Sequence, residues 1–241
     1  MDFALVLLLG LIAGTVGGIV GFGTSIMLMP ALVLVFGPRE AVPIMAIAAI
    51  MANASRVAAW WREVDWRVTA AYSATGIPAA ALGARTLLTL PTQWVELALG
   101  VFFIAMIPIR HWMARQHWKL NLWHMALVGA VIGFITGVVV STGPINAPFF
   151  LAYGLVTGAY LGTEAMGSLA VYLAKAITFR SFDALPWPIV LKGLIIGSSL
   201  VAGAFIAKRL LHHIDNQRFK TLMDALLLFA GLTMLWAAWR G

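Results

Sequence analysis

The sequence predicts an all-α polytopic membrane protein of about eight to ten membrane helices, two of them short or re-entrant, built as an inverted two-fold repeat. Three observations predict it: a composition too apolar for water, a succession of apolar segments of membrane length, and matching landmarks in the two halves of the chain.

Of the 241 residues, 62% are hydrophobic and 10% charged, with a mean hydropathy of +0.95. Soluble domains average about 45–50% apolar and roughly 25% charged residues. Even a well-packed domain of this length leaves roughly 30% of its chain surface wet, so this chain would expose apolar surface that only a bilayer tolerates. The absence of cysteine excludes disulfides, thiol catalysis and thiolate metal sites. The net charge of +7 comes from basic residues scattered between apolar segments. That pattern fits loops beside an anionic membrane face and not a nucleic-acid groove, so lipid and a small solute are the expected partners. Met1-Asp2-Phe3 lacks the basic start of a signal peptide, and the run that follows reads as the first membrane segment.

The apolar segments are 3–22, 26–37, 41–61, 67–88 and 93–110, then 123–142, 145–157, 162–180, 187–207 and 218–239, with a polar break at 111–122. The chain thus divides into a first repeat, 1–110, a cytoplasmic linker, 111–122, and a second repeat, 123–241. Segments 26–37 and 145–157 are shorter than the roughly 20 residues a full span needs, and read as re-entrant half-helices or short tilted crossings. Either way each half makes an odd number of crossings, which turns the second half upside down relative to the first. A chain that starts outside places Arg62, Arg67, Arg110, Arg115, Lys119, Lys208, Arg209, Arg218 and Lys220 in the cytoplasm. Arg39, Arg85, Arg180, Lys192 and Arg240 are then external; nine against five has the sign of the positive-inside rule and places both termini outside.

The halves align in unbroken order. Gly10, Gly14 and Gly18 match Gly129, Gly133 and Gly137 at an offset of 119. Pro30 answers Pro148, Asn53 stands opposite Lys175, Trp66 opposite Trp187, Gly76 opposite Gly197, Gly83-Ala84 opposite Gly203-Ala204, and Gln93 opposite Gln217. The glycine trios read chiefly as packing surfaces that let helices approach closely.

Between trio and proline each half has a polar break: Gly21-Phe22-Gly23-Thr24-Ser25 and Ser141-Thr142-Gly143-Pro144-Ile145-Asn146. Unpaired backbone groups in hydrocarbon cost several kcal/mol each, so these loops lie either at the surface or around a polar cavity inside the protein. A helix of about 12 residues rises roughly 18 Å against a core of roughly 30 Å, which favours helix starts at mid-depth. Two such N-termini, one per half, would present free N–H groups, hydroxyls and little fixed charge to a small anion.

The run Gly14-x-x-Gly17-Gly18-x-x-Gly21-x-Gly23 with Pro30, and Gly133-x-x-x-Gly137 with Ser141-Thr142-Gly143-Pro144 and Pro148, set in a duplicated apolar layout, resemble the TauE/SafE sulfite exporter family over nearly the whole chain. The resemblance implies a multi-pass plasma-membrane permease for sulfite, sulfoacetate and similar small organosulfur anions, with the two breaks lining the route. Thr24 departs from the pattern, standing where a further glycine is common.

The candidate substrate-binding residues are therefore Gly21, Gly23, Thr24, Ser25, Asn53, Ser141, Thr142, Gly143, Pro144, Asn146 and Lys175. Lys175, well inside segment 162–180, reads either as the counter-charge for the anion or as a lysine snorkelling to the outer interface. Arg56 reads mainly as snorkelling to the inner face. Asp224 is positioned to pair with Lys220 at i, i+4 and is a candidate coupling residue. Glu96 and Glu164 read as interfacial, the five histidines as solvated without metal-ligand spacing, and the ten tryptophans as an interfacial belt.

An intramembrane enzyme would need machinery of which no His-Glu-x-x-His or Gly-x-Ser-x-Gly is present. No P-loop is present either, so the chain itself does not use ATP and no cofactor is implied. A flippase for a lipid-linked phosphate, held at the same helix starts, is the alternative within transport. The expected mechanism is alternating access driven by the membrane potential or a proton gradient. Direction, substrate and oligomeric state stay open at the level of sequence.

Overall fold

A computed structural model of the chain describes residues 3–20, 23–116, 119–139, 142–210 and, beyond these, 224–225, 228–229, 231–232, 235–236 and 238–239. Among the described residues there are nine long or short α-helices and no strand: α1 (Phe3–Val20), α2 (Thr24–Phe36), α3 (Pro38–Trp60), α4 (Trp66–Thr89), α5 (Thr92–Ala114), α6 (Leu122–Val138), α7 (Gly143–Tyr153), α8 (Thr157–Ser181) and α9 (Trp187–Leu210). Most of segment 218–239 lies outside the described residues, and those described within it are helical.

The helices follow the apolar segments with instructive differences. The α5 helix runs on to Ala114, into the expected linker, because nothing breaks it there and Met113 is buried. The α8 helix begins at Thr157 instead of 162, since Gly158 and Gly162 are tucked against Trp60 of α3 where a side chain would collide. Both short segments are short helices: α2 has 13 residues and α7 has 11, about 20 and 16 Å of rise. Their ends are set by backbone that a helix cannot continue through. Gly23 before α2 has φ 106° and Gly154 after α7 has φ 105°, left-handed values that an L side chain reaches at about 1–2 kcal/mol.

Packing joins the halves. Helix α1 lies along α9, and α6 along α4, each pair in the same direction. The glycine trios make these contacts. A Cβ on Gly14 would overlap the Leu200 backbone, and one on Gly133 would sit 2.8 Å from the Gly76 Cα. Helix α9 also runs parallel to α3, with Gly193 and Gly197 on Ile47 and Met51, and α4 runs parallel to α8, with Gly76 against Val171 and Gly167 against Tyr72. Helices α3 and α8 cross antiparallel at the centre, joined by Gly162 on Trp60 and by Arg56 on Glu164.

The outward faces are apolar: Leu8, Val131, Ile177 and Leu191 are all exposed, and so are Trp61, Trp66, Trp94, Trp123 and Trp187 at helix ends. Two stretches, Glu40–Glu63 and Trp187–Ala207, are individually long and apolar enough to cross a bilayer. The molecule is an all-α polytopic membrane protein, with lipid as the solvent for its surface.

Candidate functional site

The starts of α2 and α7 meet. Gly23, Thr24 and Ser25 from the first half and Thr142 and Gly143 from the second line one cavity of about 30 Å³. Its remaining wall is the α3–α8 crossing: Ala49, Ala52, Asn53 and Arg56 on one side, Glu164, Ser168 and Tyr172 on the other. The space holds about two water molecules.

At α2 the N-cap is Gly23, which has no side chain with which to cap the first turn. The first intrahelical bond there runs from the Met27 N–H to the Gly23 carbonyl at 3.0 Å, so the amides of Thr24, Ser25 and Ile26 have no acceptor within the helix. The positive end of the helix dipole lies at the same place. Thr24 sits against Gly17, whose missing Cβ makes its room: a Cβ there would lie 2.9 Å from the Thr24 hydroxyl. At α7 the geometry is leaner, because Pro144 in the first turn carries no N–H.

The second break is tied by hydroxyls. Thr136 donates to the Ile132 carbonyl at 2.6 Å, which uses its only hydroxyl proton, so Thr142 donates across the 2.5 Å contact between the two hydroxyls. Thr142 thereby stitches the end of α6 to the start of α7. Lys175 completes the stitch: its Nζ donates to the Thr136 and Val139 carbonyls, both at 2.8 Å, on the negative end of α6. Lys175 is 1% exposed, so it does not snorkel, and it does not line the cavity. In place of snorkelling, Lys175 donates to the last carbonyls of a broken helix.

The basic residue that does line the cavity is Arg56. Its Nη1 donates to Glu164 Oε2 at 2.9 Å and its Nη2 to Asn53 Oδ1. Asn53 in turn donates to the Ala49 carbonyl at 2.8 Å, which fixes its amide. Glu164 is 2% exposed; its Oε1 accepts from Ser168 at 2.7 Å and from Asn146 at 3.1 Å. The expected interfacial glutamate and snorkelling arginine are thus a buried ion pair joining the two halves. The sequence carried only a weak signal: opposite charges in apolar segments of different halves, each one turn from a polar residue, are costly in hydrocarbon unless they meet.

Of the expected site residues, Gly23, Thr24, Ser25, Asn53, Thr142 and Gly143 line the cavity, and Asn146 reaches it through Glu164. Pro144 lies in the first turn of α7. Gly21 and Ser141 lie outside the described residues. Asp224 is elsewhere, with its Oδ2 3.1 Å from His111 Nε2 of α5. His124, expected to be solvated, accepts the Asn121 N–H at 3.1 Å in a capping box at the start of α6. Arg56, Glu164, Ser168 and Tyr172 are the polar cavity residues outside the sequence-based candidates, beside the apolar Ala49 and Ala52.

No curated protein and no solved structure matches the chain significantly. The family described as sulfite exporter TauE/SafE matches residues 6–234, a stretch that includes both helix starts and the whole α3–α8 crossing. The chain belongs to the TauE/SafE sulfite exporter family of membrane transporters.

Proposed function

We propose that the chain is a plasma-membrane permease for a small anion, sulfite or a related organosulfur acid, which binds between the starts of α2 and α7. The observation that carries this reading is that one cavity collects both helix starts together with the Arg56 guanidinium. Free amides and dipole ends favour negative charge, and a planar guanidinium matches the oxygens of a sulfonate. Glu164 balances Arg56, so the site binds an anion without a large net charge, which lets the anion leave again.

The cavity is smaller than an oxyanion, so binding requires the halves to part. Alternating access by two inversely oriented repeats, 1–110 and 123–241, supplies that motion. Helix direction supports the inversion: α1, α3 and α9 run one way, and their counterparts α6, α8 and α4 run the other. The starts of α2 and α7, and of α3 and α8, are 119 residues apart, the spacing of the glycine trios. At that spacing Arg56, not Asn53, is the counterpart of Lys175.

The test is flux of labelled sulfite, sulfoacetate and a lipid-linked phosphate through proteoliposomes, with wild type beside Arg56→Gln. Passage of the sulfur anions by wild type, reduced about tenfold or more in Arg56→Gln, supports the reading. Equal flux in both proteins removes the site, and movement of the lipid phosphate alone makes the chain a flippase.

A further inference from the structure

Arg56 is a wall of two cavities. Besides the central one, it lines a second of about 20 Å³ between the C-terminal parts of α1, α3 and α9, beside Gly18, Trp60 and Phe205. Arg56 is thus shared by the two cavities, and its ion pair with Glu164 ties one half to the other across the crossing.

We propose that this pair is a proton-coupled latch: an anion that takes the Arg56 guanidinium releases Glu164, and the released carboxylate takes one proton in place of the arginine. The proposal rests on the anion site described above. Among the described residues no other cation faces Glu164. Helix α3 contributes Arg56; α4 contributes the Tyr72 phenol; α7 contributes the neutral Asn146 amide; α8 itself contributes Ser168 and the Tyr160 phenol. Glu63, exposed in the turn after α3, lies by Gly158. A buried carboxylate deprived of its one cation, with a second anion beside it, holds a proton instead.

The balance is simple. The proton comes from water on the side where the anion enters, forms an O–H bond at the Glu164 oxygen that Arg56 leaves, and departs on the other side when Arg56 returns. Without anion the pair sums to zero; with anion and proton the site again sums to zero. The membrane potential does no work on either form, so transport is driven by the anion gradient and the pH difference alone.

Calorimetric titration of the purified full-length chain with methanesulfonate and with sulfoacetate, both ionised throughout about pH 6–8, counts the protons. In buffers of different ionisation heat, wild type is expected to take up about one proton per anion, and its affinity to fall about tenfold per pH unit. Glu164→Gln, which keeps a hydrogen-bonding side chain, is expected to bind with no proton uptake and no pH dependence. Binding by wild type without proton uptake overturns the latch and leaves the anion site standing. No binding of either anion overturns the site and the latch with it. Should the variant fail to fold, flux through wild-type liposomes at clamped potentials decides: independence of potential supports the latch, and acceleration by potential overturns it.

Discussion

Lys175 and Arg56 stand 119 residues apart, the spacing of the glycine trios, and do different things. The Lys175 ammonium rests on two carbonyls of α6, and Arg56 reaches across to Glu164. Replacing Lys175 by Met strands the Thr136 and Val139 carbonyls, at a cost of about 1–3 kcal/mol. A thermal melt of Lys175→Met should therefore fall by several degrees while anion affinity stays within about twofold; a large affinity loss at an unchanged melting temperature would return Lys175 to the cavity. Replacing Arg56 by Lys keeps the charge but loses the two-pronged contact to Glu164 and Asn53, and is expected to weaken anion binding about tenfold, or about 1.4 kcal/mol, by titration. Thr24, Ser25, Asn53 and Thr142 were legible in the sequence because a polar residue in an apolar run must find a polar place. The partner of Lys175 was not, because it is a pair of backbone carbonyls 36 and 39 positions away that only the break in α6 exposes.

At the scale of the element, the two breaks do the positioning. Gly23 at φ 106° sets the start of α2 at the cavity wall, and Ala there must either strain or turn the helix start. Gly23→Ala should lose about 1–2 kcal/mol of stability in a melt and bind anion more weakly, whereas Gly37→Ala, with φ 77° but open space around it, should lose only the stability. The glycine trios act elsewhere, letting α1 meet α9 and α6 meet α4 at backbone distance. Gly133→Leu should force α6 off α4, read as loss of a folded monodisperse species in size-exclusion chromatography; normal assembly would show that the close approach is dispensable. The shortness of segments 26–37 and 145–157, and hence α2 and α7, was readable from glycine, proline and length. The extension of α8 back to Thr157 was not, since glycines that look like breakers from sequence are packing positions against Trp60.

At the scale of the whole molecule, two sets of helices run in opposite directions around an antiparallel α3–α8 crossing, and the cavity sits on that crossing. Composition and segment count made the membrane fold readable. The meeting of α2 with α7 was an inference from symmetry, and the Arg56–Glu164 pair escaped because no local pattern links residues 108 positions apart. The native chain has no cysteine, so single cysteines report topology cleanly. An impermeant maleimide should modify Gln116→Cys, between α5 and α6, only from the cytoplasm, and Phe182→Cys, between α8 and α9, only from outside; both reacting from one side would end the inverted arrangement. On the proposed reading a negatively charged guest lies between the starts of α2 and α7. Anomalous diffraction from crystals grown with selenate tests it most directly. The expected result is a selenium peak placed so that the selenate oxygens can accept from the Thr24 and Gly143 amides and the Arg56 guanidinium. A peak elsewhere, or none at saturating selenate, would contradict it.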